Sequence, residues 1–151
     1  MATTEVRRPR VVVGVDGSKN SRAALHWAAD YARATGAALR AVIAWHYPTT
    51  YGYSPVVSDV DFAADARSEL MAAVHDEVTE GVEVETAVIA GRPEQVLLDV
   101  AADADLVVVG SRGHGEFVGM LLGSVSNYAV HHAHCPVVVV PAPSDLAGPG
   151  R

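Results

Sequence analysis

LVVVGSRGHGEFVGMLLGSVS, residues Leu106 to Ser126, runs from an apolar β-branched block through a glycine-dense stretch into a run of helical character that continues to His132. The block LVVVG (Leu106 to Gly110) is the most apolar in the chain. It reads as a strand covered by helices on both faces, and so as a candidate for the centre of a sheet. Glycine recurs at Gly110, Gly113, Gly115, Gly119 and Gly123, with the spacing Gly-x2-Gly-x9-Gly-Ser ending at Ser124. A buried strand turning through glycine into a helix is one unit of an alternating β-α fold.

The same alternation extends in both directions. RVVVGV (Arg10 to Val15) is a second apolar block, ended by the turn residues Asp16-Gly17-Ser18, and Ser18 is placed to cap the next segment. From Lys19 to Thr35 the residues Ala24, Leu25, Ala28, Ala29 and Ala32 recur at helical spacing, and Gly36 closes the segment. Ala38 to Trp45 reads as a strand, and HYPTTYGYSPVVSD after it as a loop. A helix is expected from about Asp61, with Phe62, Ala66, Leu70, Ala73, Val74 and Val78 on one stripe, stopping at Gly81. Between Asp59 and Glu85 nine acidic residues face only Arg67 in local sequence, which predicts a solvated acidic surface. Val82 to Ile89 starts with apolar-charged alternation, the pattern of a strand near the sheet edge. Pro93 opens a third helix with the stripe Val96, Leu97, Val100 and Ala101, and Val137 to Val140 forms a last strand between Pro136 and Pro141. The pattern predicts an α/β chain with a single-domain, open, doubly wound sheet of five mainly parallel strands, Rossmann-like in plan. The domain is expected over residues 10–141, with a disordered segment at 1–9 and a flexible tail at 142–151. Ligands of such sheets bind beyond the strand C-terminal ends where the strand order reverses, here the ends of the first, second and fourth strands.

The 151 residues, half of them apolar, suit one domain with a real core. A net charge of -7 disfavours nucleic acid and anionic membrane surfaces as partners. One cysteine, Cys135, excludes an internal disulfide, and no apolar run reaches the roughly 18 residues of a membrane span, so a cytoplasmic setting is expected. MATTEVRRPR at the start lacks the apolar stretch of a signal peptide.

In the glycine-dense segment backbone N–H groups can approach an anion without Cβ obstruction, and the helix start adds partial positive charge. Arg112, His114 and the hydroxyls of Ser124 and Ser126 could meet a phosphate. The same glycines could instead serve only a long connection. Neither standard phosphate motif is present: Lys19, the one lysine, is far from this segment, and Gly14-Val-Asp-Gly17 is no Gly-x-Gly-x-x-Gly. VVVGVDGS near the start, ADLVVVGSRGHG, the Gly-x2-Gly-x9-Gly-Ser spacing and the ending CPVVVVP together resemble the universal stress protein family, over roughly residues 10 to 141. The resemblance implies a fold like the adenine nucleotide alpha hydrolases and, because the glycine pattern is complete, membership of the ATP-binding subgroup. It implies that Gly14, Val15 and Asp16 line the nucleotide, with Asp16 near the ribose or a metal. Ala44 falls at an adenine contact where family members commonly have valine. Gly110, Ser111, Arg112, Gly113, His114 and Gly115 would wrap ribose and phosphates, and Gly123, Ser124, Val125 and Ser126 would hold the terminal phosphates. Mg²⁺ or Mn²⁺ bridging phosphate oxygens is implied by the family alone. The family also implies a homodimer through Val137, Val138, Val139 and Val140, with ATP biasing conformation or the choice of a protein partner.

Three competing functions stay open. A regulatory ATP binder needs no base; a slow ATPase or nucleotide-transferring enzyme would need His114 or Glu116; a nucleotide-free interaction module would need neither. Asp16 can equally be a turn former or helix cap. In HHAHC (His131 to Cys135) only His131 and Cys135 have i, i+4 spacing, so a metal site has weak support. Trp27, Trp45 and Tyr47 read as packing or loop residues, and Gly-x-Ser-x-Gly, the mark of a hydrolase nucleophile, is absent.

Overall fold

The computed structural model describes residues 7–47, 61–113 and 122–142. Residues 1–6 of the expected N-terminal segment 1–9, residues 143–151 of the expected tail 142–151 and most of the loop after the second strand, 48–60, lie outside the described residues. The elements are β1 (Arg10–Gly14), α1 (Lys19–Thr35), β2 (Ala38–Trp45), α2 (Phe62–Glu77), β3 (Val84–Ala90), α3 (Pro93–Val100), β4 (Leu106–Gly110), α4 (Ser124–His132) and β5 (Val137–Val140), with a 3₁₀ turn at Ala101–Asp103.

Chain chemistry accounts for the helix ends. Ser18 Oγ accepts from Ser21 N–H at the start of α1, and Gly36 closes that helix at φ 75, a conformation that is strained for any residue with a Cβ. Asp61 caps α2 through Ala64 N–H, while α3 has Pro93 at its first turn and no side-chain cap. Helix α2 stops at Glu77, four residues before Gly81, whose φ of 92 turns the chain toward β3.

All five strands are parallel, in the order β3-β2-β1-β4-β5. The sheet is doubly wound, as the alternation predicts, and β3 is an edge strand. Two details differ from expectation. The central strand is β1, and β4 lies between β1 and β5, because apolarity reports burial on both faces and not position in the order. Strand β3 begins at Val84, where pairing with Leu39 starts, so Val82 and Glu83 precede the ladder.

Helices α1 and α2 cover one face and α3 and α4 the other. The first layer buries Leu25 and Leu70 with no solvent exposure, among Ala24, Ala28, Ala29 and Ala73. These alanines let the helices approach the valines of the sheet closely. The second layer packs Val96 and Leu97 of α3 and Ala129 of α4 on Val12, Val42, Val107 and Val109. The acidic run is less isolated than local sequence suggests. Arg22 of α1 lies 2.8 Å from Asp76, and Arg40 of β2 lies 2.9 Å from Glu85. The preceding chain is tied to the strand N-terminal ends by Arg7 to Asp105 at 2.8 Å and by Ala38 N–H to Pro9 O at 2.8 Å.

Candidate functional site

Between β1 and β4 the strand order reverses: the chain runs from β1 outward through β2 and β3, then returns to the other side of β1. Crossover connections leave that point uncovered at the strand C-terminal ends. A cleft of about 360 Å³ opens there. Its floor is Gly14, Val42, Ala44 and Val109 from three adjacent strands, and its roof is Pro93, Val96 and Leu97 from α3. Asp16, Arg112, Gly113 and the first turn of α4 form its polar end.

The β1-α1 turn holds Asp16 in place. Its N–H donates to Ser21 Oγ at 3.1 Å, its Oδ1 accepts from Ser18 N–H at 2.9 Å, and Ser21 Oγ donates to Ser18 O at 3.1 Å. The other carboxylate oxygen lies over Gly113, where a Cβ would come within 2.5 Å of Asp16 Oδ2. Glycine at 113 therefore permits the β1-α1 turn and the segment after β4 to close on each other. Gly110 permits a different contact. A Cβ there would stand 2.6 Å from the Asn20 carbonyl carbon, so α1 packs its first turn directly on the end of β4.

Across the cleft the glycine-dense segment is joined at its neck. Gly123 N–H donates to Ser111 O at 2.7 Å, and Ser126 Oγ lies 2.9 Å from the same oxygen. Ser111 N–H donates to Val140 O at 2.9 Å, which ties the neck to β5. Gly123 is extended, at φ -77 and ψ 176, and α4 begins without a side-chain cap. The first turn of α4 lines the cleft, which brings the positive end of the helix dipole to this wall, the arrangement that favours an anion.

Of the fourteen residues expected at the site, Gly14, Val15, Asp16, Ala44, Gly110, Arg112, Gly113, Gly123, Ser124, Val125 and Ser126 line this cleft. Ser111 does not; it is buried beneath it and contributes backbone atoms to the neck. His114 and Gly115 lie outside the described residues, as does Glu116. Sequence reasoning missed Val42 and His46, although period-2 alternation from Ala44 puts both on the same face of β2. It also missed Ser21, one turn into α1, and the α3 roof, whose approach to the cleft is a tertiary fact.

A shallower side cleft shares Asp16, Ala44 and His46 and adds Trp45, Phe62, Asp65 and Glu69. The aromatic residues pack as expected: Trp27 stacks on Tyr31 with centroids 5.3 Å apart, and Trp45 meets Tyr47 edge-on at 5.4 Å. The HHAHC stretch is engaged locally. His131 Nδ1 lies 2.7 Å from Asn127 O, and the His132 ring lies 4.3 Å from that of Tyr128. Burial pushes the Cys135 thiol above its ordinary range, and the Asp105 charge adds to this against an opposing backbone hydrogen bond at Val107. Cys135 is therefore a thiol at neutral pH, a poor ligand and nucleophile. Among the described residues no group of three or more His, Cys, Asp or Glu is arranged to hold a metal, and no helix is long and apolar enough to cross a membrane.

Residues 8–141 match the model of the universal stress protein family. A universal stress protein of Mycobacterium tuberculosis is 40% identical over 134 residues, which cover 85% of this chain and 44% of that protein. The chain thus spans less than half the length of this curated relative. Among solved structures, the universal stress protein UspA from Lactobacillus plantarum is 27% identical with a TM-score of 0.76, covering 90% of this chain and 99% of that one. A universal stress protein solved in complex with cAMP is 30% identical with a TM-score of 0.57, covering 89% of this chain and 98% of that one.

Proposed function

The chain belongs to the universal stress protein family, and from that premise we propose that it binds an adenine nucleotide, ATP, in the cleft between β1 and β4. The observation that carries this is the pairing of an apolar slot with an anion-receiving end in one cleft. The slot between Val42, Ala44, Val109 and the α3 roof has the apolar lining that suits a purine. At the other end Gly110, Gly113 and the uncapped start of α4 offer backbone N–H groups to phosphates, with Arg112 beside them. His114 and Gly115 complete the phosphate wrap in this proposal. The relative solved in complex with cAMP supports an adenine nucleotide as the class of ligand.

Asp16 is the one carboxylate among the residues lining the cleft, and it would take part in holding Mg²⁺ or Mn²⁺ brought with the phosphates. Such an ion would neutralise phosphate charge that Arg112 alone cannot balance. The protein then acts in the cytoplasm as a regulator: nucleotide occupancy biases its conformation or its choice of protein partner, with slow hydrolysis or none. It pairs as a homodimer along β5, whose four valines are each partly exposed at the open edge of the sheet.

The test is thermal unfolding with and without ATP and Mg²⁺, with cAMP and adenosine in parallel, on the parent and on Gly123→Val with Ser124→Ala. Valine can adopt the extended backbone of Gly123, so the double substitution adds no backbone strain while its side chain blocks close approach, and the unliganded unfolding curve of the variant reports whether it is folded. At a hundred times its dissociation constant a ligand adds about 2.7 kcal/mol, or roughly 5–10 °C for a domain of this size. A shift in the parent that the variant abolishes supports the proposal. No shift at millimolar ATP refutes it and favours the interaction module. Turnover of ATP by the parent that survives in no His114→Ala variant would favour the enzyme.

A further inference from the structure

We propose that Ser126 is a positioning residue that clasps the neck of the glycine-dense segment, and that it does not itself contact the phosphates. The inference rests on the nucleotide proposal above and gives Ser126 a different role within it. The residue is 2% exposed, and its Oγ lies 2.9 Å from Ser111 O and 3.1 Å from Gly123 O. A serine hydroxyl has a single proton. Both neighbours are carbonyl oxygens, which only accept, so that proton is committed to one of them and none remains for a phosphate oxygen.

The two carbonyls explain what the hydroxyl does. Ser111 O already accepts from Gly123 N–H at 2.7 Å, and Gly123 O accepts from Asn127 N–H at 2.9 Å to start α4. Ser126 Oγ therefore joins the end of β4 to the first turn of α4 at the point where the chain leaves and re-enters the cleft wall. Ser111 N–H is itself fixed to Val140 O at 2.9 Å, so the clasp refers the α4 amides to the sheet and not to the connection between them. The distance from the Gly110–Gly113 side of the cleft to the Ser124–Val125 side is set before any ligand arrives. Preorganisation of this kind favours the ligand groups that bridge both sides, the phosphates, and leaves the base slot untouched.

Two measurements on the parent, Ser126→Ala and Ser126→Thr test this: amide hydrogen exchange at Gly123 in ligand-free protein, and the affinities for ATP with Mg²⁺ and for adenosine. Alanine leaves Ser111 O still bonded to Gly123 N–H, so the fold survives. In Ser126→Ala the Gly123 amide should exchange roughly five-fold faster, the loss of about one net hydrogen bond. ATP affinity should fall about five- to ten-fold, adenosine affinity should stay within two-fold, and threonine should restore both readouts. Unchanged exchange at Gly123 with weakened ATP binding would make Ser126 a direct ligand and overturn the proposal. Faster exchange with an unchanged ratio of ATP to adenosine affinity would overturn it too, as a purely structural bond. A parent that binds neither ligand refutes the nucleotide proposal and the positioning role with it, while the exchange data still report whether the clasp exists.

Discussion

Substituting Gly110→Ala probes the packing that shapes the cleft. The added Cβ would lie 2.6, 2.7 and 2.9 Å from the carbonyl carbon, carbonyl oxygen and Cβ of Asn20. Ordinary contact begins near 3.4 Å, so the atoms must separate by about 0.8 Å. No side-chain rotation can supply that, because two of the three neighbours are main-chain atoms in the first turn of α1. The turn would have to move off β4, loosening the bond from Asp16 N–H to Ser21 Oγ. Overpacking of this kind costs about 1–3 kcal/mol, and the backbone neighbours put this case at the upper end. Gly36→Ala is the matched control, since it meets nothing within 4 Å and suffers only from its φ of 75, a left-handed conformation worth about 1–2 kcal/mol to a residue with a Cβ. Urea unfolding of both variants gives the comparison. Gly110→Ala should lose more stability than Gly36→Ala and also bind ATP more weakly, whereas Gly36→Ala, distant from the cleft, should keep its affinity. A Gly110→Ala protein within 0.5 kcal/mol of the parent (about half of the smallest penalty expected from overpacking) would refute the account of how α1 and β4 meet.

Other consequences are local. Ser18→Ala removes the oxygen that accepts from Ser21 N–H and should cost about 1 kcal/mol in urea unfolding. Cys135 should alkylate slowly at pH 7 and faster as pH rises into and above the ordinary thiol range; Asp105→Asn removes a charge that raises its pKa, so iodoacetamide labelling at pH 8 should accelerate. Since the folded thiol binds its proton more tightly than the unfolded one, its contribution to stability is complete below the unfolded pKa and declines as pH rises through the folded value. A double-mutant cycle on Arg22 and Asp76, both partly exposed and 2.8 Å apart, should give a coupling of about 0.2–1 kcal/mol that shrinks in salt.

The limits of α1 and β2 follow from residues whose chemistry is local: Ser18 and Gly36 around the alanine stripe, then the apolar run from Ala38 to Trp45. Strand order is not local. The apolarity of LVVVG reports burial on two faces, which β1 and β4 share, so it could not identify β1 as the central strand. The site divides in the same way. Gly110 and Gly113 were legible because glycine marks close approach, here to Asn20 and Asp16 respectively, whereas Gly14, where a Cβ would meet Leu97 at an ordinary 3.5 Å, came from the family resemblance. Val42 and His46 required only that period-2 alternation be carried outward from Ala44, a position supplied by the family resemblance. Pro93, Val96 and Leu97 could not be assigned to the roof by local pattern, because an α3 stripe that packs on the core looks the same whether or not its first turn overhangs a cleft. The partners of Ser126 were likewise hidden: a serine at a helix start suggests a phosphate donor until Ser111 O and Gly123 O are seen to surround it.

The central claim is that nucleotide enters the cleft between β1 and β4. A groove between α3 and α4, lined by Leu98, Ala102, Tyr128 and His134, is the competing location, and its volume of about 460 Å³ is no smaller. Titrating isotope-labelled protein with ATP and Mg²⁺ while recording backbone amide shifts separates the two. The account predicts saturable shifts at Gly14, Asp16, Gly110, Gly113 and Ser124 with little change at Leu98, Ala102 and His134. Shifts centred on the α3-α4 groove, or none that saturate, would contradict it.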